Sequence, residues 1–359
     1  MLDRIIALAQ ELIRFPSLAA NPEARRACAD SIAAYLKQAG LKLETFEHQG
    51  VRSFLVRGSD QPPWLCLHGH YDVVEAREED FRPRRERSLL RGRGAADMKT
   101  ALAAMMVLIA ELGRGKSPPA VALLVTGDEE VGGEKGAGHV LESGFRCSFA
   151  ISAEPSGLMI GNQAKGVLRL ELTARGKSGH AARPWEGDNA ILNMMAAFPK
   201  VWELFGDPEP EEWRSTIVPS VIQGGDAINR IPDRCALRVD IRHLPHEFPE
   251  EIVVRIQKAA PELEVKVLQQ SPACYADPFG PGPERLRAAA AKVLGEEPGF
   301  LKKHAASDAR FFVSQGIPAV VFGPGGGNVH GDGEWVDLEQ VEKFYRILER
   351  LAREIEPPE

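Results

Sequence analysis

VLRLELTAR, residues 167–175, alternates without a break: Leu168, Leu170, Leu172 and Ala174 fall on one side of an extended chain, and Arg169, Glu171, Thr173 and Arg175 on the other. Successive side chains of a strand point to opposite faces, so the pattern predicts a sheet with one buried and one wet face. Nothing upstream reads this way. There, helical periodicities near 2–14, 25–39 and 100–112 alternate with apolar runs at SFLV (53–56), PWLCLH (63–68), AVALLVTG (120–127) and CSFAISAE (147–154). Strands apolar on both sides belong to a sheet covered by helices on both faces. The style of the fold therefore changes at about residue 165.

Downstream come a helix near 188–205, a strand at STIVPSVIQGG, an alternating strand at CALRVDIRHL, a helix at 249–260 and a strand at LEVKVLQ. This β-α-β-β-α-β order is that of a ferredoxin-like α+β domain. From about 277 the first style resumes, with the helix PERLRAAAAKVL, the strand IPAVVFG and a helix at 337–354. The expected fold is an α/β domain with a mixed sheet covered by helices, formed by residues 1–165 and 277–359. A ferredoxin-like domain at 166–276 interrupts it. No internal repeat or low-complexity tract is present.

A chain of 359 residues exceeds the usual single core, which agrees with two domains. Its 44% hydrophobic and 26% charged residues are those of a globular protein. No apolar run approaches the roughly 18 to 20 residues of a membrane span, and MLDRIIALAQELIRF reads as an amphipathic helix without a signal-peptide layout. The cytoplasm is the expected location, with no membrane partner. Five scattered cysteines, Cys28, Cys66, Cys147, Cys235 and Cys274, form no CxxC pair and read as free thiols. A net charge of −7 without a basic stripe gives no case for nucleic acid. The Arg-rich run RPRRERSLLRGR (82–93) is expected to be a solvated hairpin or loop.

Four segments place metal-competent residues where an apolar strand ends: HGHYD (68–72), GRGAADMK (92–99), GDEEVGG (127–133) and SAEP (152–155). In open α/β sheets the ligand crevice lies beyond the carboxyl ends of the strands, so all four can converge on one cleft. NVHGDGE (328–334), after a late strand, is a fifth contributor. A zinc site needs imidazole and carboxylate donors, and a pair of ions needs a carboxylate to bridge them. His68, His70 and Asp72 share one direction on a strand, with Gly69 leaving room beside them, so Asp72 can brace a histidine ring. Spacing alone does not say which histidine is the ligand. Glu129 and Glu130 offer one ligand and one proton-transfer base. Asp97 precedes a helix, where it can also be an N-cap.

HGHYDVV, GRGAADMKTALAAMM, TGDEEVGG, SAEPSG, GKSGHAARP, GGDAINRIPD, SDARF and NVHGDGEWV, in this order along nearly the whole chain, resemble a known family. It is the dinuclear-zinc amidohydrolase and metallopeptidase family of succinyl-diaminopimelate desuccinylase, acetylornithine deacetylase and glutamate carboxypeptidase. The resemblance implies a zinc-hydrolase domain with an inserted lid and dimerisation domain. It also implies that His70, Asp97 and Glu154 hold one Zn2+, and Asp97, Glu130 and His330 the other, with Asp97 bridging and Co2+ able to substitute. Asp72 becomes the brace on His70, Glu129 the general base and His68 structural. Two zinc ions would lower the pKa of a water, and Glu129 would take its proton during attack on an amide carbonyl and pass it to the leaving amine. His180 is implied as an oxyanion donor, usually reaching the site of a partner subunit, which implies a homodimer through the inserted domain. The family commonly has Gly where this chain has Ala153 and Thr100, and a smaller or apolar residue where it has Arg230; none of these removes a ligand.

An N-acyl amino acid or short peptide substrate presents a carboxylate that an arginine can grip in bidentate fashion. Arg242, Arg310 and Arg230 are the candidates, with Asn229 and Ser307 as hydrogen-bonding companions. GRGAADMK and SDARF look closest to the desuccinylase branch; acetylornithine deacetylase or another N-acyl amino-acid hydrolase is the alternative. A non-catalytic metal-dependent binding protein is the reading from another class, and it would have no use for a base such as Glu129.

Overall fold

The computed structural model describes residues 1–115 and 117–354, and the last five residues of the expected 277–359 segment lie outside them. The chain divides into two compact units: Met1–Asn162, Tyr275–Leu301 and Ser307–Glu359 in one, Gln163–Cys274 and Lys302–Ala306 in the other. The breaks near 162 and 274 stand close to the expected 165 and 276. The short return at 302–306 carries no periodicity that would have announced it.

In the first unit, strands Val121–Thr126, Leu65–His70, Phe149–Ser152 and Ala319–Val321 run parallel as neighbours, and Val51–Arg57 and Leu43–His48 extend the sheet antiparallel. Every residue of the three strands Leu65–His70, Val121–Thr126 and Phe149–Ser152 is buried. That is why they read as continuous apolar runs rather than alternating ones. Helix Thr100–Gly113 is apolar nearly all round and correspondingly buried, whereas Leu338–Arg353 turns only one stripe, including Val341, Phe344 and Leu348, to the core. The Arg-rich run is an antiparallel hairpin of Arg84–Glu86 and Leu89–Arg91, and Trp335–Asp337 adds a strand beside it.

In the second unit the antiparallel strands lie in the order Thr216–Gly224, Arg234–His243, Gly166–Arg175, Leu263–Ser271, with helices Ala190–Trp202 and Pro249–Ala259. This is the ferredoxin-like order expected from the β-α-β-β-α-β pattern. Leu168, Leu170, Leu172 and Ala174 enter its core with Val239, Ile241 and Ile252. On the other face Arg169 pairs with Asp240, Glu171 with Arg234 and Arg238, and Arg175 with Glu264. Among the described residues no helix is long and apolar enough to cross a membrane.

Candidate metal centre

Parallel pairing sets His70 beside Thr126 and His68 beside Ser152, so the chain leaves three adjacent strands at one edge of the sheet. Asp72, Glu129 and Glu154 follow directly. His68 is enclosed: Nδ1 lies 3.0 Å from Ser152 Oγ, Nε2 3.1 Å from Thr126 Oγ1, and burial lowers its imidazole to about 3. A neutral ring with both nitrogens engaged is a core histidine. Gly69 leaves room on the opposite face instead of beside the histidines, since a Cβ there would lie 2.8 Å from Met105 Cε.

His70 points Nε2 at the acidic residues, 3.2 Å from Asp97 Oδ1 and 3.9 Å from Glu154 Oε1. Its Nδ1 lies 3.0 Å from the Asp72 carbonyl and 3.4 Å from Asp72 Oδ1. A donor bond on Nδ1 would leave Nε2 as the ligand atom. Burial pulls the imidazole down, but Asp72 and Asp97 outweigh it and hold it well above the usual range.

Asp97 lies in the turn Ala95–Lys99, at φ −121° and ψ 91° with a cis peptide to Met98. The following helix takes Lys99 at its N-cap position, so Asp97 is not the cap. Its two oxygens diverge: Oδ1 faces His70, and Oδ2 is 3.4 Å from His330 Nε2, which is also 3.1 Å from Glu130 Oε2. His330 sits at φ +62° in the left-handed region and is half exposed, whereas His70 is buried. Asp97 and Glu130 raise its imidazole to about 10.

Glu129 and Glu130 form a short turn after strand Val121–Thr126. The Asp72 carboxylate receives both of their backbone N–H groups, at 3.2 and 3.0 Å. Burial, then Glu154 and Asp308, push the Glu129 carboxyl well above its usual range. Asp97, Glu129, Glu130 and Glu154 are thus crowded around two imidazoles. His70, Asp97 and Glu130 bring ligand atoms within 4.8 Å of one another, and so do His70, Glu129 and Glu154. Such a set repels itself unless cations stand among the oxygens, and mixed imidazole and carboxylate donors suit zinc-like ions. The residues fit a pair of divalent ions.

Other candidates fall elsewhere. Ser307 is buried, and Arg310 donates from Nη2 to the Gly132 carbonyl at 2.5 Å, holding the turn after Glu130. His180, Asn229, Arg230 and Arg242 belong to the second unit. There, exposed His180 pairs in a two-residue strand with Arg230, and the Asn229 carbonyl accepts the Ala181 N–H. Arg230 is engaged with Ser178, Asp226 and Asp233. Two acidic residues near the site escaped the sequence reading. Asp308 is buried beneath Gly133, where a Cβ would lie 2.1 Å from Asp308 Oδ1, and Glu334 is buried against the Asp97 turn. Glycine at a positive φ in GDEEVGG was the available hint for the first.

The chain matches the family model described as peptidase family M20/M25/M40 over residues 66–354. It is 31% identical to a succinyl-diaminopimelate desuccinylase of Rhodospirillum centenum over 388 aligned residues, 98% of each chain. Aminopeptidase PepT of Bacillus cereus superposes with a TM-score of 0.79 at 20% identity, covering 98% of both chains. The Bacillus subtilis YXEP protein, described as a dinuclear metal binding peptidase, gives 0.71 at 17%, covering 98% of this chain and 97% of that one. At these identities the two structures speak for the fold.

Proposed function

The chain belongs to peptidase family M20/M25/M40 and is an enzyme acting on amide bonds; from that membership we propose that it hydrolyses the amide of an N-acyl amino acid with two zinc ions. One observation carries this reading: Asp97 turns one oxygen toward His70 and the other toward His330. His70, Asp97 and Glu154 would hold one ion, Asp97, Glu130 and His330 the other, with Co2+ a workable substitute. When bound, the metal pair lowers the pKa of a water and polarises the scissile carbonyl. Glu129, within the cluster yet not needed as a ligand, accepts the proton of the attacking water and delivers it to the departing nitrogen. Asp72 fixes the orientation of both Glu129 and His70.

The substrate we favour is succinyl-diaminopimelate, as the name of the Rhodospirillum centenum relative suggests. A substrate carboxylate would be gripped by Arg242, which pairs with Asp240 through Nε while its Nη atoms have no hydrogen-bond partner among the described residues. Asn229 and Ser307 remain its proposed companions, and acetylornithine the alternative substrate. Arg310, tied to Gly132, is better placed to hold the catalytic turn. His180 is proposed as the oxyanion donor. Val218, Val221 and Ile222 on the edge strand Thr216–Gly224, with Leu192 and Met195 on helix Ala190–Trp202, form an exposed apolar face that suits a second copy. The five cysteines are free, which supports a reducing, cytoplasmic setting.

The test is a hydrolysis screen of zinc-loaded protein against succinyl-diaminopimelate, N-acetylornithine, other N-acyl amino acids and dipeptides. Turnover of the succinyl substrate above all others supports the assignment. Preference for a dipeptide would replace it with a peptidase.

A further inference from the structure

Glu334 is 1% exposed and stands four residues beyond His330. Its carboxylate is the focus of one short stretch of chain. Oε1 accepts the backbone N–H groups of Ala96 (2.7 Å) and Asp97 (2.9 Å), and Oε2 accepts the N–H of Gly94 (3.1 Å) and Arg93 Nη1 (2.6 Å). Gly94 allows this convergence through a left-handed φ of +85°, where a Cβ would also lie 2.9 Å from Lys99 Cδ. Three backbone donors gathered on one point make a concavity suited to an anion, and the protein fills it with its own side chain.

The contact works in both directions. The Glu334 carbonyl accepts the Gly92 N–H at 2.9 Å, and Arg93 Nη2 reaches the Gly331 carbonyl at 3.0 Å. The segment holding His330 is therefore fastened to the loop holding Asp97 by side chain and backbone alike. Neither Asp97 nor His330 sits in regular structure: one occupies a non-helical turn and the other a left-handed residue before a bend. Their separation is set by what ties the two segments together.

We infer that Glu334 is a positioning residue that holds Asp97 and His330 in register, so that both metal positions depend on it although it reaches neither. The inference rests on the proposed metal positions. Charge-assisted bonds to three N–H groups fix the peptide of Asp97 itself, the one ligand shared by both ions. A residue that served only His330 would affect one ion. A residue that served only as a counter-ion for Arg93 would affect neither.

The test uses E334Q, which keeps size but sets an amide donor against the Gly94 N–H and Arg93, together with E334D and H330A. Stepwise dissociation constants for Zn2+ are read by chelator competition, and metal-free melting is followed in parallel. E334Q should stay folded without metal, melting below the parent because the buried Arg93 guanidinium loses its partner, and weaken both ions by about 10- to 100-fold, the usual loss for an outer-shell partner. E334D should fall between E334Q and the parent, and H330A should lose one ion. Parent-like binding of both ions by E334Q overturns the inference. So does loss of only the ion shared with His330, or a metal-free E334Q that has lost its fold, which would make Glu334 a core residue. Because the readout is metal binding, a failed substrate screen would leave this result standing, and a parent that binds no zinc would refute the metal reading itself.

Discussion

The Asp72 carboxylate accepts the backbone N–H of Glu130 at 3.0 Å. With a second bond from the Glu129 N–H and a 3.4 Å approach to His70 Nδ1, one side chain orients a proposed ligand on each side and the proposed base between them. The expectation of a brace on His70 captured only part of this, because the closer partner of Nδ1 is the Asp72 carbonyl. D72N keeps the shape but turns an amide donor toward an N–H. It should lose about 10- to 100-fold in metal affinity or turnover. Chelator competition and steady-state rates measure both, and a variant equal to the parent in each would remove Asp72 from the site.

Removal of Asp97 is expected to cost both ions, since its two oxygens serve opposite sides of the cluster. Metal analysis of D97A after dialysis should find little bound zinc. Two tightly held ions in D97A would show that the bridge lies elsewhere.

Glu129 is expected to move a proton without being needed to hold metal. E129Q preserves volume and cannot accept that proton, so it should keep its zinc and lose roughly 10² to 10⁴ in turnover. Normal zinc content with near-normal rate would require another base.

Much of this arrangement is legible in the sequence, because two periodicities carry it. Alternation at Leu168, Leu170 and Leu172 marked the half-wet sheet, and the apolar runs ending at His70, Thr126 and Ser152 marked the strand ends where polar residues collect. What stayed hidden is held by contacts between distant residues. Glu334 reaches partners 237 to 241 positions earlier in the chain, and no local pattern encodes such a reach. The second unit's return segment, Lys302–Ala306, is likewise defined only by what it packs against. SDARF also gives no sign of the Gly132 carbonyl that Arg310 contacts.

Asp308 offers a test of electrostatics. It is fully buried, neither carboxylate oxygen has a hydrogen-bond partner among the described residues although His68 Nε2 stands 3.5 Å and Arg310 Nη2 3.8 Å away, and burial raises its carboxyl from 3.8 to about 7, with Arg310 opposing and Asp128 adding to the rise. A raised acid means that the folded protein holds the proton more tightly than the unfolded chain. Its contribution is therefore most favourable below about pH 4 and is lost as pH rises through about 7. In metal-free protein D308N, neutral at every pH, should gain on the parent above pH 7 by on the order of 1–3 kcal/mol. The gap should close near pH 4. Melting curves across that range decide it, and a D308N deficit that stays constant with pH would assign Asp308 a paired, ionised state.

His180 is exposed on the second unit, in a two-residue strand with Arg230, and its Nδ1 accepts the Ala182 N–H at 3.0 Å. That bond fixes the tautomer and leaves a protonated Nε2 as a donor, the form an oxyanion requires. If it serves the site of a second copy, H180A should lose about 10² to 10³ in turnover, the usual loss for an oxyanion donor, with full metal content. Complementation then separates the arrangements. E129Q and H180A are each inactive for different reasons, and a mixed dimer of the two contains one site with an intact base and an intact histidine. Subunit exchange, verified by mass spectrometry of differently tagged copies, should restore activity toward half the parent rate per mixed dimer. Exchange without recovery would place His180 in its own chain's site or outside the chemistry altogether.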